Sequence, residues 1–295
     1  MAPLLDLLRL FTGATLLAFA SYTDWKWRRA PNVLWIILCA AGLCLLAADA
    51  VQDPAPWSGK WPYLLAIFPL ALLLAPSGRA DLLALVAGAA GLGVTLWRAR
   101  AAPETMTAAW PYLAGIVVFA AAMYALWYFG LIAGGADAKA LLALAILLPF
   151  PLSLAPGLPL SASPLPGAFV VLGNSLLAFL VIPLSFLAWN LAHGDARFPH
   201  LLVGVKRRAA DVEQGHQWPM EIVDESGART TRFMASRMSD EEIAATFERV
   251  QALGDERVWV SPKIPFMIPM LAGFLLAFSV GDLLLAFLSA VLPAR

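Results

Sequence analysis

Two aspartates stand apart from the other acidic residues of this sequence by their settings. Asp24 closes an apolar run and is followed by Trp25-Lys26-Trp27-Arg28-Arg29-Ala30-Pro31-Asn32. Asp137 opens another apolar run, preceded by Gly134-Gly135-Ala136 and followed by Ala138-Lys139. Two carboxylates held at one depth can share a proton, activate a water molecule and hydrolyse a peptide bond, one acting as base and the other as acid. Glycines ahead of Asp137 let the backbone unwind or an extended substrate strand come close. Helix polarity points to Asp137 as the base and Asp24 as the acid, with Lys26, Arg28 and Arg29 acting in the opposite sense. The plainer reading of the same residues is a cap on a basic loop and the start of a helix.

The elements that must position this pair are set by composition. The chain has 295 residues, is 61% hydrophobic and carries 40 formal charges, 20 of each sign. Soluble domains run nearer half apolar and a quarter charged, so a water-soluble enzyme is excluded. The charges are also unevenly placed, with 22 of them between His193 and Lys263. That asymmetry reads as an all-α polytopic membrane protein with one polar insert. Zero net charge offers no footprint for nucleic acid.

Apolar runs predict a first span ending near Asp24 and others near 33–50, 61–77, 81–97, 110–131, 138–155, 167–192 and 264–292. That makes eight spans, or six if the 61–97 hairpin does not cross. An even insertion leaves the sidedness of Asp24 and Asp137 unchanged. Lys26, Arg28 and Arg29 follow the first run, whereas a secretory signal puts its basic residues before it. The positive-inside rule then places the N-terminus outside, and the 24–32 loop, the start of the Asp137 helix and the insert in the cytoplasm.

Three domains are expected: 1–192 with seven spans and both aspartates, a soluble α+β insert at 193–262, and the last span at 263–295. In the insert, Trp218–Val223 and Thr230–Met234 read as strands joined by an Asp224-Glu225-Ser226-Gly227 turn. Ser239 with Glu242 reads as a capping box before a helix carrying Ile243, Phe247, Val250 and Leu253, and Arg257–Val260 as a further strand.

The remaining acidic residues have simpler readings. Asp6, Asp49, Asp53 and Glu104 fall at outer ends as solvated charges, and Asp81 sits beside Arg79 as a surface pair or helix-start charge. Asp282, inside the last run, reads as a structural hydrogen-bonding group between helices, though intramembrane carboxylates invite functional suspicion. His193, His200 and His216 lack a ligand spacing, so no metal is expected. Cys39 and Cys44 read as packing residues. Pro262, Pro265 and Pro269, with Lys263, could keep the start of the last span unwound beside the aspartate pair, or simply punctuate a helix start. Lys139 could orient Asp137 or snorkel to the surface.

Asp24 with Arg28, Arg29, Pro31 and Asn32, together with Gly134-Gly135-Ala136-Asp137-Ala138-Lys139, resembles the type IV prepilin peptidase family, in its archaeal preflagellin and prepilin peptidase branch. The likeness extends to Pro262-Lys263-Ile264-Pro265-Phe266 at the opening of the last span. The resemblance implies a GxGD-type membrane aspartic endopeptidase that needs no cofactor. It would remove short basic signal peptides from archaellin or type IV pilin precursors at the cytoplasmic boundary. Ala136 replaces the second glycine of the commonest form, and the 61–97 hairpin exceeds the six spans usual for archaeal members. Bacterial relatives carry a cysteine-tetrad domain and N-methyltransferase activity, and with two cysteines neither is expected here. A presenilin-like protease would use the same pair but cut deeper, and a transporter would place carboxylates at the midplane of internal repeats.

Overall fold

A computed structural model describes residues 2–74, 78–107, 109–129, 135–150, 163–212, 217–223, 229–231, 240–254 and 256–291. It divides into two compact units, one of residues 1–178 and 265–295, the other of residues 179–264. The protein is an all-α polytopic membrane protein with a small α+β insert. Six of the described helices are long and apolar enough to cross a membrane, and a bent pair at the C-terminus would make a seventh.

The first unit begins with α1 (Ala2–Trp27) and α2 (Asn32–Gln52). Pro31 directly precedes α2, its extended backbone fixing where the helix can start. The expected hairpin is longer than the 61–97 run. Helix α3 (Trp57–Ile67) tightens into a 3-10 segment (Phe68–Leu74), and α4 (Gly78–Ala101) returns. Both arms pass the length and apolarity required for a span. Helix α5 (Trp110–Tyr128) follows.

At the centre lies α6 (Gly135–Leu147), with Ala138 and every residue from Ala140 to Leu147 buried. A helix that is apolar on every side belongs inside a bundle, and α6 packs against α1, α2, α5 and the 3-10 segment. Its 13 residues rise only about 20 Å, less than the ~30 Å of a bilayer core. The expected 138–155 span therefore does not appear as one helix among the described residues, and 151–162 lie outside them. Close approach of α2 to α6 depends on Gly42, where a Cβ would stand 2.8 Å from the Leu147 nitrogen and 2.9 Å from its Cα.

The far end of α6 is tied down by Arg9, whose side chain is 1% exposed. Its Nε donates to the Leu147 carbonyl at 3.0 Å, Nη1 reaches Asp6 at 3.2 Å, and Nη2 bonds Asp49. Asp6 and Asp49 are thus not the solvated ends expected. They neutralise a buried guanidinium that satisfies a carbonyl in the last turn of α6, which has no intrahelical donor.

Helix α7 (Gly167–Ala192) begins in this unit. The last apolar run, expected as one span, is broken into helices Met267–Ser279 and Leu283–Val291, bent by 75°. Gly281 takes φ +89° at the break. Asp282, 3% exposed, accepts the Leu285 N–H at 2.9 Å on one oxygen and the Ser163 hydroxyl at 2.8 Å on the other. Asn174 of α7 donates to the Gly281 carbonyl at 2.9 Å and accepts from the Leu283 N–H at 3.0 Å. Asp282 is therefore bound into the fold as an N-cap.

The second unit takes in the end of α7, a short α8 (His200–Val203) and, among the described residues, five strands. Strands β1 (Val205–Arg208), β2 (Gln217–Pro219) and β5 (Arg257–Pro262) form an antiparallel sheet in the order β1-β5-β2. Strands β3 (Glu221–Val223) and β4 (Arg229–Thr231) pair separately, with Ile222 opposite Thr230. The expected strand 218–223 is interrupted at Met220 and serves both sheets. Helix α9 (Asp240–Gln251) sets Phe247 and Val250 against Val205, Val212, Val258 and Val260. Gly254, at φ +63°, follows its final turn. The proposed cap Ser239 and the turn at 224–227 lie outside the described residues. This unit starts at Phe179, before the expected 193. The reason is packing: Phe186 lies against its core and Asn190 donates to the Leu201 and Gly204 carbonyls at 3.0 and 2.7 Å.

Candidate active site

Asp24 is held in the last turn of α1. Thr23 turns its hydroxyl back to the Ala20 carbonyl at 3.0 Å, and the Arg28 N–H closes the turn on the Asp24 carbonyl at 3.0 Å. Arg28 itself takes φ +55°, a left-handed conformation unusual for a residue with a side chain, and this directs the chain out of the helix.

The first residue of the penultimate helix, α10 (Met267–Ser279), meets Asp24 directly. A first-turn N–H has no intrahelical acceptor, and that of Met267 lies near enough to the Asp24 carboxylate to act on its charge. One turn earlier on α1, the Ser21 hydroxyl donates to the Met267 carbonyl at 2.9 Å. Met267 is therefore tied to α1 through its carbonyl, with its N–H toward the Asp24 carboxylate. Pro265, buried just ahead of it, lies in the same unit. Pro262 ends β5 and Lys263 lies over the Trp218 ring at 4.0 Å, both in the second unit.

Asp137 lies in the first turn of α6, the electropositive end of the helix. Asp24 and Asp137 are near enough for the charge of one to act on the other, and the Arg28 charge also acts on Asp24. Two atoms of the Arg28 guanidinium, Nε and Nη1, are buried with no acceptor. Ala136 packs against the bundle core. Among the described residues, a Cβ on Gly135 would meet the Trp127 indole nitrogen alone, at 3.5 Å, an ordinary contact distance. Gly134 lies outside the described residues.

Lys139 neither pairs with Asp137 nor reaches outward. Its ammonium donates to the Asn32 side-chain oxygen at 2.9 Å and to the Leu74 carbonyl at 3.3 Å, and the Asn32 amide also donates to Leu74, at 3.2 Å. These three bonds join the start of α2, just beyond Asp24, to the helix carrying Asp137, through the end of the hairpin's first arm. Arg29 and Pro31 are exposed. Ser21, the Met267 backbone and the Leu74 carbonyl were not expected here. Ser21 lies three residues before Asp24 and so on its helix face, a usable signal, whereas backbone groups leave none.

Asp81 also departs from the surface pair expected. It is 8% exposed, and the Tyr124 hydroxyl donates to its Oδ2 at 3.4 Å. Among the described residues no group of three or more histidine, cysteine or acidic side chains converges as metal ligands would.

In chemical terms, two carboxylates from different helices, both at helix ends, share one locale with a guanidinium. Acid–base hydrolysis needs these groups and no redox centre. A comparison with curated proteins gives no match. Residues 196–283, covering most of the insert and all of α10, match the family model Archaeal Peptidase A24 C-terminus Type II, and this match supports a place for the chain among the archaeal A24 peptidases.

Proposed function

We propose that the protein is a membrane aspartic endopeptidase that removes a short basic signal peptide from archaellin-like or type IV pilin-like precursors. The observation that carries this reading is the pairing of Asp24, in the last turn of one helix, with Asp137, in the first turn of another. Asp24 stands in the last turn of a helix long enough to span, which puts it near a membrane boundary and favours cleavage there over a cut at mid-bilayer. With the N-terminus outside, that boundary is the cytoplasmic one. The reading includes no N-methyltransferase activity.

Asp24 is the base in this reading, reversing the roles that helix polarity suggested. The Arg28 charge and the nearby Met267 N–H both act on it in the sense that favours the carboxylate anion, which suits a proton acceptor. Asp24 takes a proton from water as the oxygen attacks the scissile carbonyl carbon, and Asp137 supplies the shared proton to the substrate. As the tetrahedral intermediate collapses, Asp24 passes its proton to the leaving nitrogen, the C–N bond breaks, and Asp137 takes back a hydroxyl proton, leaving a carboxyl group on the signal peptide and the pair as it began.

The test is to incubate the purified chain in lipid nanodiscs with a pilin precursor and sequence the new N-terminus of the product. A single cut between the basic leader and the apolar helix is expected. A cut within the apolar helix would overturn the reading in favour of deep intramembrane proteolysis, and no cut would remove the peptidase assignment.

A further inference from the structure

Asp81 is a buried carboxylate that the proposed reaction does not use. Its Oδ2 has the Tyr124 hydroxyl at 3.4 Å, and its Oδ1 is buried without any hydrogen-bond donor. An acidic residue in the first turn of α4 would be ordinary if exposed. A carboxylate oxygen that is enclosed and unmatched is costly, and such groups are rare in folded proteins.

The surroundings complement a cation. Tyr124 belongs to an aromatic cluster at the end of α5, with its ring 5.7 Å from Trp127 and stacked at 6.4 Å on Tyr128. Trp127 and Tyr128 are exposed, so the cluster is open on its outer side. Aromatic faces beside a carboxylate attract ammonium and guanidinium groups by both the ring quadrupole and the charge. The cluster also reaches the proposed centre, because the Trp127 indole nitrogen borders the space in front of Gly135, two residues from Asp137.

We propose that Asp81, with Tyr124 against it and Trp127 and Tyr128 packed on the Tyr124 ring, is the subsite for a lysine or arginine side chain of the signal peptide, an inference that rests on the peptidase reading above. The hairpin α3–α4 then has a purpose: it brings the specificity carboxylate to the end of the bundle where the aspartate pair lies. Asp81 is a specificity residue here and takes no part in bond breaking.

The experiment uses the full chain in nanodiscs with two precursors, one with a lysine-containing leader and one with each lysine replaced by glutamine. Binding of each fluorescent leader is followed by anisotropy, and cleavage is followed separately. The unmodified chain should prefer the lysine leader by about ten- to a hundredfold, the span of a charge-assisted bond. Asp81→Asn should bring that ratio near one, mainly through KM. Trp127→Leu, which leaves the buried carboxylate in place, should lower the ratio by about two- to fivefold. If Asp81→Asn keeps the preference, or weakens both leaders equally, Asp81 is structural and the inference falls. A retained binding preference without cleavage would instead sink the peptidase reading and leave the subsite standing. An unchanged ratio in Trp127→Leu would remove the aromatic cluster from the proposal even if Asp81→Asn failed to fold.

Discussion

Replacing Lys139 by methionine tests how the two aspartate-bearing segments are held together. The change keeps the apolar stem and removes two bonds, to Asn32 Oδ1 at 2.9 Å and to the Leu74 carbonyl at 3.3 Å. A hydrogen bond from a charged donor contributes about 1.5–3 kcal/mol. Lys139 is half-buried, so the low end applies to the shorter bond and about half of that to the longer one. Leu74 also keeps its bond from Asn32. The expected loss is therefore about 2 kcal/mol. The assay is a double-mutant cycle with Asn32→Ala, reading unfolding free energies from denaturant titrations in one detergent. Because each variant removes the same shared bond, the cycle should show a coupling of about 1 kcal/mol. Additivity within ~0.5 kcal/mol would refute the tie between α2 and α6. Lys139→Met should also lower kcat by tenfold or more, since displacing one reacting carboxylate by about 1 Å can cost a hundredfold.

Other expectations follow from single contacts. Gly42→Ala would drive a methyl into the Leu147 backbone and should destabilise the bundle by about 1–3 kcal/mol in the same titration, whereas Gly135→Ala meets, among the described residues, an indole nitrogen at ordinary contact distance and should change stability by under ~0.5 kcal/mol. In the insert, burial first and the Arg197 charge second push the His200 imidazole below its ordinary 6.5, against an opposing pull from Glu221. The folded insert thus binds fewer protons than the unfolded one, so stability present above pH 6.5 declines as the pH falls toward the folded value. Hydrogen exchange of the β1 and β5 amides, corrected for intrinsic rates, should show this decline between pH 7 and 5, and His200→Asn should flatten it. A rise in protection on acidification would contradict the burial of a neutral ring.

What could be read beforehand followed from the physics of the bilayer. Uninterrupted apolar runs announce helices regardless of their neighbours, so α1, α2, α5, α7 and both arms of the hairpin were legible with errors only at their ends. The break at Gly281-Asp282 was not, because hydropathy averages over a lone carboxylate, and Ser163, which bonds that carboxylate, and Asn174, which bonds the Gly281 and Leu283 backbone beside it, are more than 100 residues away. Asp6 and Asp49 were misread for the same reason: their partner Arg9 is identifiable as buried only once α6 is known to end against it. The two aspartate settings were visible as local motifs. Their support was not, since Lys139 and Asn32 lie 107 residues apart and meet at a carbonyl that any residue at position 74 would present.

The central claim is that Asp24 and Asp137 act as one unit. Its most direct test is cleavage of a precursor by Asp24→Asn, Asp137→Asn and the double variant, each checked for folding by thermal unfolding. Groups that act jointly are strongly non-additive, so each single change should abolish turnover to the same level as the double change, while leader binding persists. Measurable turnover in either single variant, well above that of the double, would contradict the account.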